Sequence, residues 1–214
     1  MKKDSLSYID IYDFDHTIYD GDSSLDFYFF SVRQKPSILK YLPSQLFHTG
    51  LFALSLEPRT SFKANFFKFL KAINDIESHV ERFWDVHYKN IKPWYRDSDH
   101  SHDVIISASP DFLLEVIQKR LKVHSLIATK TSAATGIIEG KNCRGQEKVI
   151  RLNQIFEGPT VRKVYSDSMS DKPILSLAEE PYVVLGDKAI RYDEYKKMSS
   201  AKRFVLGLHV LKFW

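Results

Sequence analysis

Short apolar runs, each ending in small or acidic residues, punctuate the chain. Tyr8-Ile9-Asp10-Ile11-Tyr12 leads directly into Asp13-Phe14-Asp15, a β-prone stretch that predicts a first strand with carboxylates at its carboxyl end. Asp103-Val104-Ile105-Ile106 ends at Ser107-Ala108-Ser109-Pro110. Pro110 and Asp111 then announce a helix over Phe112-Leu113-Leu114-Glu115-Val116-Ile117. Further β-prone runs lie at 125–129, 162–165 and 182–185, separated by helical patterns at 147–156 and 172–178. Strands alternating with helices predict an α/β fold: a parallel sheet covered on both faces, with its ligand site at the carboxyl ends of the strands. Residues 135–142 predict a small hairpin between strand and helix.

More than eighty residues separate the first two strands, too many for a simple crossover and too apolar for a disordered loop. They predict an inserted unit. Residues 24–95 hold 16 of the 29 aromatics, and Phe62, Phe66, Phe69, Leu70 and Ile73 recur at helical spacing. A Phe-rich helical cap domain over 24–95 is therefore expected, inserted into a core domain made of 1–23 and 96–214. Packing within the cap accounts for such rings; contact with an apolar substrate or a bilayer surface is the alternative.

Composition narrows the class. The 214 residues carry a net charge of +4 with basic residues spread along the chain, so nucleic acid is not indicated as a partner. The single cysteine, Cys143, excludes an internal disulfide and points to a reducing compartment, with the cytoplasm expected. Met1 to Ser7 is short and charged, unlike a signal peptide. Ile38 to Leu56, the most apolar window, is broken by Lys40, Pro43, Gln45, His48 and Gly50 and falls short of the ~18 uninterrupted apolar residues of a membrane span. The stretch Lys202 to Trp214 is basic and aromatic; it suits peripheral membrane contact, or packing on the core or a second subunit. The oligomeric state is not indicated.

The candidate chemistry begins at Asp13 and Asp15, two residues apart and so on the same side where strand passes into loop. Burying two such charges is costly unless a proton or cation neutralises them, and Mg²⁺ with oxygen ligands does so well. Ser107 closes the second strand, Lys148 opens a helix, and Ser166-Asp167-Ser168-Met169-Ser170-Asp171 follows the fourth strand. In a parallel sheet these groups meet at one edge, placing an acidic metal site beside a cationic and hydroxyl phosphate site. That combination suits phosphoryl transfer.

Four segments carry a family resemblance: Asp13-Phe14-Asp15-His16-Thr17, Ile105-Ile106-Ser107-Ala108-Ser109, Cys143-Arg144-Gly145-Gln146-Glu147-Lys148, and Tyr165-Ser166-Asp167-Ser168-Met169-Ser170-Asp171. In this order and spacing the chain resembles the haloacid dehalogenase-like superfamily, in the branch around phosphoserine phosphatases and bacterial phosphatidylglycerophosphatase C. The resemblance spans Tyr8 to about Ile190. It implies a five-stranded parallel core with the Asp13 strand at its centre, an inserted cap, and a Mg²⁺-dependent phosphomonoester hydrolase working through an aspartyl-phosphate. Asp13 is the implied nucleophile and Asp15 the implied general acid and base. Ser107 and Lys148 are the implied holders of phosphate oxygens. The implied metal set is Asp13, Asp15 through its carbonyl, and Asp167, with Asp171 either a ligand or a partner that orients Lys148.

Departures from the family pattern leave the substrate open. His16 is bulky where the family is small, Ser107-Ala108-Ser109 replaces Ser-Gly-Gly, and Asp22 stands near the glutamate with which phosphoserine phosphatases read the substrate amine. The last two weaken a phosphoserine assignment. Arg144 is a second candidate for the phosphate-binding cation. The expected substrate is a phosphate monoester, with a phospholipid headgroup or a small metabolite as its leaving group. A phosphotransferase of the same fold and a non-catalytic binding module are the alternatives.

Overall fold

The computed structural model describes residues 6–199; the stretch Lys202 to Trp214 lies outside the described residues. The first apolar run folds as β1 (Tyr8–Tyr12). After it come α1 (Ser23–Gln34), α2 (Leu42–Ala53), α3 (Arg59–Phe66), α4 (Ile76–His87) and α5 (Pro93–Arg96), with 3₁₀ turns between some of them. The chain then alternates: β2 (Asp103–Pro110), α6 (Asp111–Leu121), β3 (Ser125–Thr129), α7 (Gln146–Ile155), β4 (Thr160–Ser166) and α8 (Lys172–Leu175). It ends in β5 (Glu180–Leu185), β6 (Lys188–Arg191) and α9 (Tyr192–Lys197).

The strands form one sheet in the order β3-β2-β1-β4-β5-β6. β1 to β5 run parallel and β6 antiparallel. Because β1 has a strand on either side, its backbone is satisfied on both edges and its carboxyl end opens in the interior of the sheet rim. Side chains alternate between two cores, as the strand period demands. Ile9, Ile11, Val104 and Ile106 pack with Leu152 of α7, Phe156 just after it, and Ile174 and Leu175 of α8. Ile105 faces the other way, toward α6 and the aromatic rings of the helices between β1 and β2. There Phe27, Phe83 and Trp84 are fully buried, and the Trp84 indole N–H donates to the Leu113 carbonyl at 2.7 Å, pinning α4 to α6. Aromatic burial thus continues without a break from the insertion onto the sheet.

The parallel α/β sheet expected from the sequence is found, with three local differences. A sixth strand, β6, pairs with β5 across a two-residue turn in which Gly186 has φ +59, the left-handed geometry that such hairpins need. Lys188–Arg191 is too short and too exposed to carry a hydrophobic signature. The hairpin expected at 135–142 reduces to one bridge, Thr131 with Ile138, around a turn that serves another purpose. Gly136 (φ +77) lies so close to the insertion that an added Cβ would stand 2.5 Å from the Phe67 carbonyl oxygen. The helix expected over 172–178 stops at Leu175. No helix among the described residues is long and apolar enough to cross a membrane.

Candidate active site

Asp13 follows β1 directly, and its N–H extends the ladder to the Tyr165 carbonyl at 2.9 Å. The chain then turns sharply: the Phe14 carbonyl accepts from the N–H groups of Thr17, Ile18 and Tyr19 at 3.0–3.2 Å. His16 sits in this turn at φ +59, a left-handed position that histidine enters more readily than most residues. Thr17 reaches across to the fourth strand, its hydroxyl accepting from the Asp167 N–H at 3.0 Å. The first and last of the four sequence segments are therefore tied together by backbone as well as by charge.

Asp15 is held at the amino end of α1. One carboxylate oxygen accepts from the Ser23 N–H at 2.7 Å and the other from the Ser109 hydroxyl. Asp22 caps the same helix, accepting from the N–H groups of Ser24 and Leu25 at 3.0 Å. Burial, with Asp15 adding to it, pushes the Asp22 carboxyl up to about 8. Ser107 is buried, and its hydroxyl accepts from the Ser109 N–H at 3.0 Å, which leaves its own proton free to donate.

Lys148, on the first turn of α7, bridges two acids. Its ammonium donates to Asp13 Oδ1 at 2.9 Å and to Asp171 Oδ2 at 2.6 Å, and Asp171 Oδ2 also accepts from the Ser166 hydroxyl at 2.8 Å. Burial alone would disfavour the ammonium, but the two carboxylates outweigh it and hold Lys148 above the usual lysine range. Burial likewise raises Asp13 to about 8; Lys148 opposes the shift, and Asp171 and Asp167 reinforce it. Acidic side chains outnumber basic ones here. The pocket these residues line also takes in Arg144 and, from the insertion, Lys63 and Phe67. Among its lining side chains five carboxylates face three cations: Asp13, Asp15, Asp22, Asp167 and Asp171 against Lys63, Arg144 and Lys148.

All the residues singled out in the sequence thus line one pocket at the carboxyl ends of β1, β2 and β4. They are not equivalent there. Of the acids considered as metal ligands, Asp171 is engaged by Lys148 and Ser166, and Asp15 by Ser23 and Ser109. Among the described residues no three His, Cys, Asp or Glu side chains form a cage by themselves. Arg144 lines the pocket, but it is Lys148 that contacts Asp13.

Lys63 was not singled out in the sequence. It comes from α3, is 6% exposed, and donates to the Ala108 carbonyl at 3.1 Å and to Asn142 Oδ1 at 3.3 Å. Burial lowers its ammonium to about 8; Asp22 and Asp15 oppose the shift, and Arg59 and Arg144 add to it. The available signal was a lysine in the apolar register of a Phe-rich helix, directly after Phe62 and one turn before Phe67.

Comparison with known proteins gives a family and a fold. Residues 11–176 of the 214 match the model of the haloacid dehalogenase-like hydrolases. The protein CicA of Caulobacter vibrioides is 38% identical over 84 residues, 36% of this chain and 37% of CicA; the chain matches little more than a third of that relative's length. A solved structure of a protein of unknown function from Bordetella pertussis Tohama I superposes with a TM-score of 0.66 at 22% identity, covering 82% of this chain and 89% of that one. A probable phosphoserine phosphatase from Vibrio cholerae gives a TM-score of 0.57 at 11% identity, over 81% and 55% of the two chains. A phosphoserine phosphohydrolase-like protein from Francisella tularensis gives 0.51 at 16% identity, over 81% and 85%. At these identities the structures show the shared fold.

Proposed function

The chain belongs to the haloacid dehalogenase-like hydrolases, and from that membership we propose that it is a Mg²⁺-dependent phosphatase that cleaves phosphate monoesters through an aspartyl-phosphate on Asp13. The observation that carries the reading is the buried bridge from Asp13 through Lys148 to Asp171, beside Asp15, at the carboxyl ends of parallel strands. A carboxylate fixed through one oxygen by a buried ammonium is oriented for attack with the other. In the first half-reaction Asp13 forms a bond to phosphorus as the bond to the leaving oxygen breaks, and Asp15 gives its proton to that oxygen. In the second, Asp15 takes a proton from water, the water oxygen bonds to phosphorus, and the bond to Asp13 breaks to release phosphate. Lys148 and the Ser107 hydroxyl hold phosphoryl oxygens as charge shifts. Asp171 positions Lys148.

The donor set fits Mg²⁺. Asp13 and Asp167 supply two hard carboxylates and Asp15 a backbone carbonyl, in a pocket where acidic side chains outnumber basic ones. Mg²⁺ characteristically takes one or two carboxylates, waters and phosphate oxygens in place of a full protein cage. When bound, it would neutralise repulsion between nucleophile and substrate and polarise a phosphoryl oxygen. The insertion, taken as residues 24–95, acts as the cap over a core of 1–23 and 96–214. Through Lys63 it contacts the leaving group, a phospholipid headgroup or a polar metabolite. Steady-state hydrolysis of an aryl phosphate tests the reading. Phosphate release should require Mg²⁺, stop on chelation and fall at least about a thousandfold in Asp13→Asn. Undiminished turnover by that variant would exclude the covalent route, and transfer to an added alcohol with little free phosphate would assign a phosphotransferase.

A further inference from the structure

A surface helix ordinarily turns its polar side to water, and α2 does the reverse. Its buried position is a polar one: Gln45 is 5% exposed, accepts from the Tyr28 hydroxyl and donates to the Phe66 carbonyl, both at 2.9 Å. At about 100° per residue, the side opposite Gln45 carries Pro43, Leu46, Phe47, Gly50 and, at the helix end, Leu54, with the half-buried Ser44 and Leu51 at its margins. Leu46 and Phe47 are each 63% exposed and Leu54 70%. Leu39, Leu42 and Leu56 are also exposed along the same stretch. Among the described residues no core covers that side.

The charge around it has one sign. Residues 27–56 contain no Asp or Glu, while Arg33, Lys35 and Lys40 are exposed, the Lys35 ammonium also donating to the Ala72 carbonyl at 2.6 Å. The acids that bracket the stretch are turned to internal partners: Asp26 accepts from the Tyr19 hydroxyl, and Glu57 from His48, Ser61 and Asn65. We infer that this side of α2 docks the protein on an anionic lipid surface. Leu46, Phe47 and Leu54 enter the headgroup–acyl boundary and Arg33, Lys35 and Lys40 meet the headgroups. A second copy of the chain fits less well, because self-pairing of this region would bring its cations together without a carboxylate to answer them. The inference stands on the surface itself and does not rest on the reaction proposed above.

Flotation of the full chain with vesicles tests it. Binding to phosphatidylcholine vesicles containing phosphatidylglycerol should exceed binding to pure phosphatidylcholine by at least about tenfold, and should weaken with salt. Leu46→Ser, Phe47→Ser and Leu54→Ser combined should lower it at least about tenfold, and Arg33→Gln, Lys35→Gln and Lys40→Gln combined should remove the salt dependence. Thermal unfolding of each variant reports the fold, and turnover of a water-soluble aryl phosphate reports the chemistry separately. Equal binding to both vesicle types, or undiminished binding by the serine variant, would overturn the inference. So would light scattering that finds a dimer dissolved by the serine substitutions, which would assign this side to a second copy.

Discussion

At the scale of single residues, the two lysines of the pocket answer to opposite environments. Lys148 is buried between two carboxylates, so its removal strands Asp13 and Asp171 facing each other without an ammonium. Lys148→Met is expected to cost roughly 3–5 kcal/mol in urea unfolding of the metal-free protein. Asp171→Asn keeps a hydrogen-bond acceptor for Lys148 and should unfold much closer to the parent while losing turnover, since Lys148 is then less firmly aimed. Lys63 is buried with other cations nearby, and its ammonium is lowered to about 8. Its charged form therefore dominates below pH 8 and is lost above it. If Lys63 contacts the leaving group, KM should rise above about pH 8 while kcat changes less. Lys63→Arg should carry that rise to higher pH, because a guanidinium does not deprotonate in this range. A KM that stays flat through pH 9 in the parent would remove Lys63 from substrate contact.

At the scale of elements, the amino end of α1 and the turn at Gly136 control how the insertion meets the sheet. Asp22 caps α1, yet burial raises its pKa from 3.8 to about 8. Between those values the folded chain holds a proton that the unfolded chain has released, so this group's contribution makes stability fall as pH rises from about 4 through about 8. Asp22→Asn retains a capping side chain and should flatten that fall in thermal unfolding measured across the range. Gly136 has left-handed φ and no room for a Cβ against the Phe67 carbonyl. Gly136→Ala is expected to cost about 1–3 kcal/mol. An unchanged melting temperature in that variant would show that the loop yields. In the sequence Asp22 was marked only by its place near a substrate-reading glutamate and Gly136 only as part of an expected hairpin; the cap on Ser24 and Leu25 is local, whereas the Phe67 carbonyl that Gly136 meets is far away in the chain.

At the scale of the whole molecule, the Mg²⁺ proposed for this acid-rich pocket would be a stabilising ligand. Mg²⁺ at about a hundred times its Kd should add about 2.7 kcal/mol to unfolding, an increment that Asp167→Asn should greatly reduce at the same concentration. Local sequence determined the parallel α/β sheet, the strand ends that carry Asp13, Ser107 and Asp167, and the helix that begins near Lys148. Hydrophobic period, turn residues and short spacings encode these within a few positions of one another. It also determined that the residues between the first two strands are helical and aromatic. Only tertiary structure decided that Asp13 and Asp171 engage Lys148, that Ser109 and Ser23 hold Asp15, and that Lys63 crosses from α3 to the Ala108 carbonyl of β2. Each of these contacts joins residues whose pairing no local propensity records. The exposure of the apolar side of α2 was decided in the same way: an apolar helix reads alike whether a core covers it or not, and burial is a property of what packs against it.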